Sequence, residues 1–166
     1  QWTVTFFSSD TSTTQHGVTE TSGYVEVKIQ DDDYGDETYY GLKANIDLNS
    51  FLVKFKSVAP NWGGTGSSGY YRRVEIRFIA SSGWLRWYAG EYGNMIQHND
   101  GSSGTKATDH SSSYPPDSWH EYMIKFANGA SKFYIDDEYM ETFTETPPTP
   151  PFNEVQIGAA HWDSTD

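Results

Sequence analysis

Apolar and polar residues alternate with period two along most of this chain, in short runs closed by Gly, Ser, Asn and Asp. The 3.6-residue recurrence of an amphipathic helix is absent. Tyr24-Val25-Glu26-Val27-Lys28-Ile29, Phe51 to Lys56, Val74-Glu75-Ile76-Arg77-Phe78 and Glu121 to Phe126 alternate cleanly. Further strands are predicted at Trp2 to Phe7, Tyr39 to Asp47, Trp84 to Gly90, Met95 to Asn99, Lys132 to Asp136, Tyr139 to Phe143 and Glu154 to Ala159. Strands whose two faces differ must bury one face against a second sheet, so the pattern predicts an all-β fold, an antiparallel two-sheet sandwich or a barrel. Asn128-Gly129 reads as a hairpin turn, and Asp136-Asp137 links the next pair of strands. Residues 63–69 and 99–113 read as long polar loops, and Pro147 to Pro151 as a stiff connection before the final strand.

At 166 residues the chain fits one domain, 1–166, either standing alone or as a module of a larger protein. Eleven Lys and Arg face 23 Asp and Glu, a net charge of −12, which opposes binding to a phosphate backbone; nucleic acid is therefore not an expected partner. The absence of cysteine excludes a disulfide framework, a thiol nucleophile and Cys-ligated zinc. Neither an apolar run long enough for a membrane span nor a signal-peptide pattern is present, and membrane insertion is not expected. Aromatic residues make up 16% of the chain against only 36% hydrophobic residues in all, so aromatics must carry both the core and something further.

All four arginines, Arg72, Arg73, Arg77 and Arg86, fall within residues 72–86. With Val74, Ile76 and Phe78 in the core, Arg73, Glu75 and Arg77 share the opposite face. Across the Ser81-Ser82-Gly83 turn, Leu85, Trp87 and Ala89 are then core residues, and Trp84, Arg86 and Tyr88 lie beside the first set. Arginine, a carboxylate and aromatic rings on one patch suit a sugar, whose C–H face stacks on a ring while its hydroxyls need fixed hydrogen-bond partners. Trp62, Tyr70 and Tyr71 on the glycine-rich loop, with Tyr92 and Trp162, are candidates to extend the platform. The competing expectation is a set of cross-strand Arg–Glu pairs on a solvated sheet.

The run from Trp119 to Phe126, then Asn128-Gly129, Phe133-Tyr134-Ile135-Asp136-Asp137 and Val155-Gln156-Ile157-Gly158, about a quarter of the chain, resembles the closing pattern of concanavalin A-like jelly rolls. That superfamily includes laminin-G-like domains, carbohydrate-binding modules, glycoside hydrolases and polysaccharide lyases. The resemblance implies a jelly-roll sandwich with ligands on its concave face or loop rim, and does not choose among these functions. Arg73-Val74-Glu75-Ile76-Arg77 resembles the R-x-E-x-R strand of alginate-lyase jelly rolls, which implies uronate recognition by Arg73, Glu75 and Arg77 with Tyr88 as the base. The chain departs from that family in lacking its Q-I-H triplet, since Ile96-Gln97-His98 has the wrong order and phase, and in that the Tyr88 strand arrives far too early. The E-x-D-x-x-E strand of laminarinase-like hydrolases is also absent, which leaves Glu75 and Glu91 as a candidate acid pair.

Only hard-oxygen metal chemistry fits the composition. Asp31, Asp33 and Asp36 lie in an acidic run suited to a structural calcium, with a solvated acidic turn as the alternative, and the jelly-roll resemblance, which implies a calcium between an early strand and the chain's end, adds Asp10, Asp136 and Asp163 as candidates. The five histidines show no ligand spacing. The sequence therefore reads first as a non-catalytic carbohydrate-binding module, extracellular or at a cell surface and monomeric as an isolated domain, with a polysaccharide partner. A small lyase or hydrolase of the same fold, and a laminin-G-like adhesion or structural domain, are the alternatives.

Overall fold

The computed structural model describes residues 3–6, 15–21, 24–30, 37–59, 70–90 and 93–163, with side chains described for 41–59, 73–90 and 93–159. Every regular element among them is a strand: β1 (Thr3–Phe6), β2 (Gln15–Thr21), β3 (Tyr24–Gln30), β4 (Glu37–Leu48), β5 (Phe51–Ser57), β6 (Tyr70–Ala80), β7 (Gly83–Gly90), β8 (Gly93–Asn99), β9 (Gly104–Lys106), β10 (His120–Ala127), β11 (Ala130–Ile135), β12 (Glu138–Phe143) and β13 (Phe152–Asp163). A seven-stranded sheet runs in the order β1-β4-β13-β6-β7-β8-β9, a four-stranded sheet in the order β12-β11-β10-β5, and β2 pairs with β3 as a separate hairpin. All pairings are antiparallel. The expected all-β, two-sheet sandwich is the fold.

Each of the eleven expected strands is present. Two others escaped the alternation rule for physical reasons. β2 holds a single large apolar residue, Val18, and β9 is a three-residue polar edge strand inside the stretch read as a loop. Tyr70 and Tyr71, expected on the glycine-rich loop, instead begin β6, paired in register with Asp163 and Trp162 of β13. Asn128 and Gly129 adopt φ of 53° and 72°, and Asp136 and Asp137 φ of 51° and 64°. Both pairs are left-handed two-residue turns that match the twist of the strands they join.

The core lies between the sheets, where alternate residues of both meet. Ile76, Phe78, Leu85, Trp87 and Ile96 come from the seven-stranded sheet, and Tyr122, Ile124, Phe126, Phe133 and Ile135 from the four-stranded one. Aromatic rings form the contact: Phe51 stacks on Phe78 with centroids 4.1 Å apart, and Trp87 meets Tyr122 at 4.5 Å and Phe55 at 4.8 Å. Two buried polar groups join the layers. His98 on β8 approaches Ser131 Oγ on β11 at 2.7 Å through Nε2 and the Glu145 carbonyl at 3.0 Å through Nδ1. Asn94 accepts from the Trp87 indole and donates to Tyr122 Oη and to the Tyr114 carbonyl. Paired in this way, the buried polar atoms avoid the penalty of desolvation without a partner.

Candidate functional site

The β6–β7 hairpin runs in unbroken register from Arg73↔Gly90 to Ala80↔Gly83, so the alternation expected of it is preserved over its whole length. Ile76, Phe78, Leu85, Trp87 and Ala89 face the core. Arg73, Glu75, Arg77, Trp84, Arg86 and Tyr88 are thereby brought together on the outer face, with Glu75 opposite Tyr88 and Arg77 opposite Arg86. The neighbouring strands widen the patch. Gln97 of β8 is the partner of Arg86, Gln156 of β13 is the partner of Arg77, and Lys43 of β4 is the partner of Gln156.

Glu75 is the hub. Its side chain is 0% exposed, and its carboxylate accepts from three guanidiniums: Arg73 Nε at 2.7 Å, Arg77 Nε at 2.9 Å and Nη2 at 2.8 Å, and Arg86 Nη1 at 3.3 Å. A carboxylate so enclosed is stable only because these charge-assisted bonds replace water. Arg86 also donates through Nε and Nη2 to Gln97 Oε1 at 3.0 and 2.7 Å. Two aromatic rings flank the cluster. The guanidinium carbons of Arg86 and Arg77 lie 4.7 and 5.5 Å from the centroid of half-buried Trp84, and Arg86 lies 5.1 Å from that of Tyr88. These are cation–π distances. The Arg–Glu pairing of the competing expectation is present, with its carboxylate buried.

Burial acts on the titration of this cluster. It lowers the Arg86 pKa by disfavouring the charged form; the Glu75 charge opposes the shift, and the Arg73 and Arg77 charges add to it. Burial raises the Tyr88 pKa, with Arg86 and Arg73 acting against it, so this phenol is neutral near pH 7. Tyr88 Oη and Gln156 Oε1 are buried without a hydrogen-bond partner among the described residues.

The other candidates fall elsewhere. Trp62, Tyr92, Glu91, Asp10, Asp31, Asp33 and Asp36 lie outside the described residues; Tyr71, Trp162 and Asp163 are placed on strands by their backbone only. Asp136, a candidate calcium ligand, has both oxygens engaged by the start of β10, Oδ2 with His120 Nδ1 at 2.7 Å and Oδ1 with the Glu121 amide at 2.8 Å. Among the described residues no three His, Asp or Glu converge as a metal centre. Gln97 and Gln156 were missed as site residues, although alternation with Ile96 and Val155 puts both on the outer faces of their strands.

No protein-family model matches the sequence, and no curated protein matches it by sequence. The fold is nonetheless shared with solved structures. An endo-β-galactosidase from Clostridium perfringens that releases GlcNAcα1-4Gal superposes with a TM-score of 0.64 at 12% identity, over 99% of this chain and 52% of that one. Sheep galectin-11, solved with glycerol, gives 0.53 at 12% identity over 75% of this chain and 94% of that one. The carbohydrate-binding module CBM66 from Bacillus subtilis gives 0.50 at 11% identity over 98% and 88%. This chain spans about half the length of the galactosidase and most of the other two. At such identities the likeness is one of fold alone, that of an all-β jelly-roll sandwich.

Proposed function

We propose that the protein is a non-catalytic carbohydrate-binding module that takes a polysaccharide on the outer face of its seven-stranded sheet. The observation that carries this reading is the donor array fixed on Glu75 beside the half-buried Trp84 ring. Guanidiniums already oriented by a buried carboxylate lose little freedom when they bond a sugar hydroxyl, and the indole offers a plate for the C–H face of a pyranose. Jelly rolls that bind glycans and jelly rolls that cleave them are both among its structural neighbours, and the details of the cluster favour binding. Both Glu75 oxygens are taken by guanidiniums. Glu154 is also on this face, but it stands four residues along β13 from Gly158, the register partner of Glu75, which is roughly 13 Å of strand. The two acids of a glycosidase stand only about 5–10 Å apart. For a lyase, Tyr88 is correctly set opposite Glu75, yet its raised pKa works against a proton-abstracting base.

Tryptophan fluorescence titrated with neutral and uronic-acid polysaccharides, with and without chelator, tests the reading, each mixture being assayed afterwards for chain length. The expected result is a saturable shift with intact polymer, weakened about tenfold or more by Trp84→Ala or Arg77→Ala. Sensitivity to chelator would support the calcium proposed at Asp31, Asp33 and Asp36. Shortened chains, or the absorbance of an unsaturated uronate, would instead make the protein an enzyme. Silence toward every glycan, with retention by a surface protein, would make it an adhesion domain.

A further inference from the structure

The opposite side of the sandwich carries an independent feature. Four of the chain's seven lysines, Lys54, Lys56, Lys125 and Lys132, are exposed on the outer face of the four-stranded sheet, in a chain of net charge −12. Lys54 is neutralised by Glu121 and Asp137 at one end of the face. At the other end Lys125 and Lys132 are direct cross-strand partners, and neither makes an ion pair among the described residues. Their β-carbons stand only about 5 Å apart, and like charges so placed destabilise a sheet. Next to them, two residues along β11, Tyr134 meets Tyr139 edge to face at 5.5 Å, and the Tyr139 ring is 55% exposed. Leu52, the β5 partner of Lys125, is 60% exposed.

We propose that this face is a second binding surface, whose ligand is an acidic polysaccharide carrying carboxylates on its sugar rings. A ring laid on Tyr139 puts a carboxylate attached to that ring within reach of the flexible Lys132 stem, one strand across and about 7 Å along, with Lys125 one strand further on. The two ammoniums, one strand apart, then share the negative charge that each lacks. Attraction at this face survives the acidity of the whole chain because charges on the far side, beyond a Debye length of about 8–10 Å, are screened at ordinary salt. The tyrosines separate this ligand from an unspecific polyanion, which would need the lysines alone.

The test is calorimetric titration with sodium polygalacturonate at low and at moderate salt, beside a neutral glucan, a sulfated polysaccharide and duplex DNA. Polygalacturonate is expected to bind, with an affinity that falls as salt rises. Lys125→Gln with Lys132→Gln should weaken it about fivefold or more and flatten its salt dependence; Tyr139→Ala should weaken it severalfold. In a Trp84→Ala background, which disables the face of the other sheet, the same lysine and tyrosine losses should appear, which separates the outcome from that of the proposed function. The lysine and Tyr139 substitutions are at exposed positions, so circular dichroism should show an intact fold. The proposal is overturned if polygalacturonate does not bind, if the lysine and tyrosine changes are silent, or if sulfated polymer or DNA binds as well with Tyr139→Ala silent. A concentration-dependent dimer abolished by the lysine changes would also overturn it, in favour of a second copy as the occupant.

Discussion

The two outer faces of this sandwich deploy positive charge in opposite ways. On the seven-stranded sheet three arginines converge on one buried carboxylate and two aromatic rings, so the charges are oriented before any ligand arrives. On the four-stranded sheet the lysines stand exposed, and the unpaired ones confront each other across strands. Arginine's planar fork holds a fixed geometry, whereas the lysine ammonium is a mobile point charge. The first face holds its charges in a fixed geometry, and its cost is structural dependence on a single residue. The second depends on nothing within the fold.

The contrast is broken most severely at Glu75. Glu75→Gln keeps the volume and removes the charge, leaving three guanidiniums crowded in a site with little water. Loss of one member of such a buried arrangement costs about 3–5 kcal/mol. The urea midpoint should fall accordingly, with an unchanged slope. A midpoint within experimental error of the parent's would show that the carboxylate does not organise the face.

The sequence displayed the ingredients of that face but not its depth. Alternation in Val74 to Phe78 and Trp84 to Gly90 assigned every side chain to its correct side, because the hairpin contains no bulge. Alternation carries no information about how deeply an outward side chain is covered, so Glu75 read equally well as a solvated pair member and as a buried hub. The inter-sheet polar ties were hidden for a similar reason. His98 and Ser131 are 33 residues apart, and only the superposition of β8 on β11 makes them partners. Strands with few apolar residues, β2 and β9, carried too little pattern to be read. Spacing from Tyr134 to Tyr139 likewise concealed that a register shift in the β11–β12 pair sets the two rings together.

A smaller effect, on pH, tests whether the layers that hold the faces back to back are joined as described. Burial pushes the His98 pKa from 6.5 down to about 4, opposed by its bond to the Glu145 carbonyl. The native state therefore holds this ring neutral while the unfolded chain takes up a proton near pH 6.5. The stabilisation is complete above that pH and is lost as the pH falls from about 6.5 toward 4. Between pH 7 and pH 5, before most carboxylates titrate, the loss should be about 2 kcal/mol. Urea midpoints at the two pH values measure it, and the ring-carbon NMR shift of His98 should stay that of neutral imidazole down to pH 5. A ring that titrates near 6.5 would remove the buried Ser131–His98 tie from the account.

The smallest change is expected where the charge is least tied to the fold. Lys125→Gln with Lys132→Gln neutralises two charges, against one in Glu75→Gln, yet both ammoniums are exposed and neither is ion-paired among the described residues. Exposed substitutions of this kind stay within about 0.5 kcal/mol, and relief of the cross-strand repulsion between Lys125 and Lys132 favours a slight gain. That gain should shrink as salt is added, since the repulsion it relieves is screened. Urea midpoints of parent and double variant at low and moderate salt measure both effects. A loss of more than about 1 kcal/mol would mean that these lysines support the sheet, and that their exposure needs no ligand to account for it. A stable variant that has lost its polyuronate binding would leave the lysines with a cost to the fold and a use outside it.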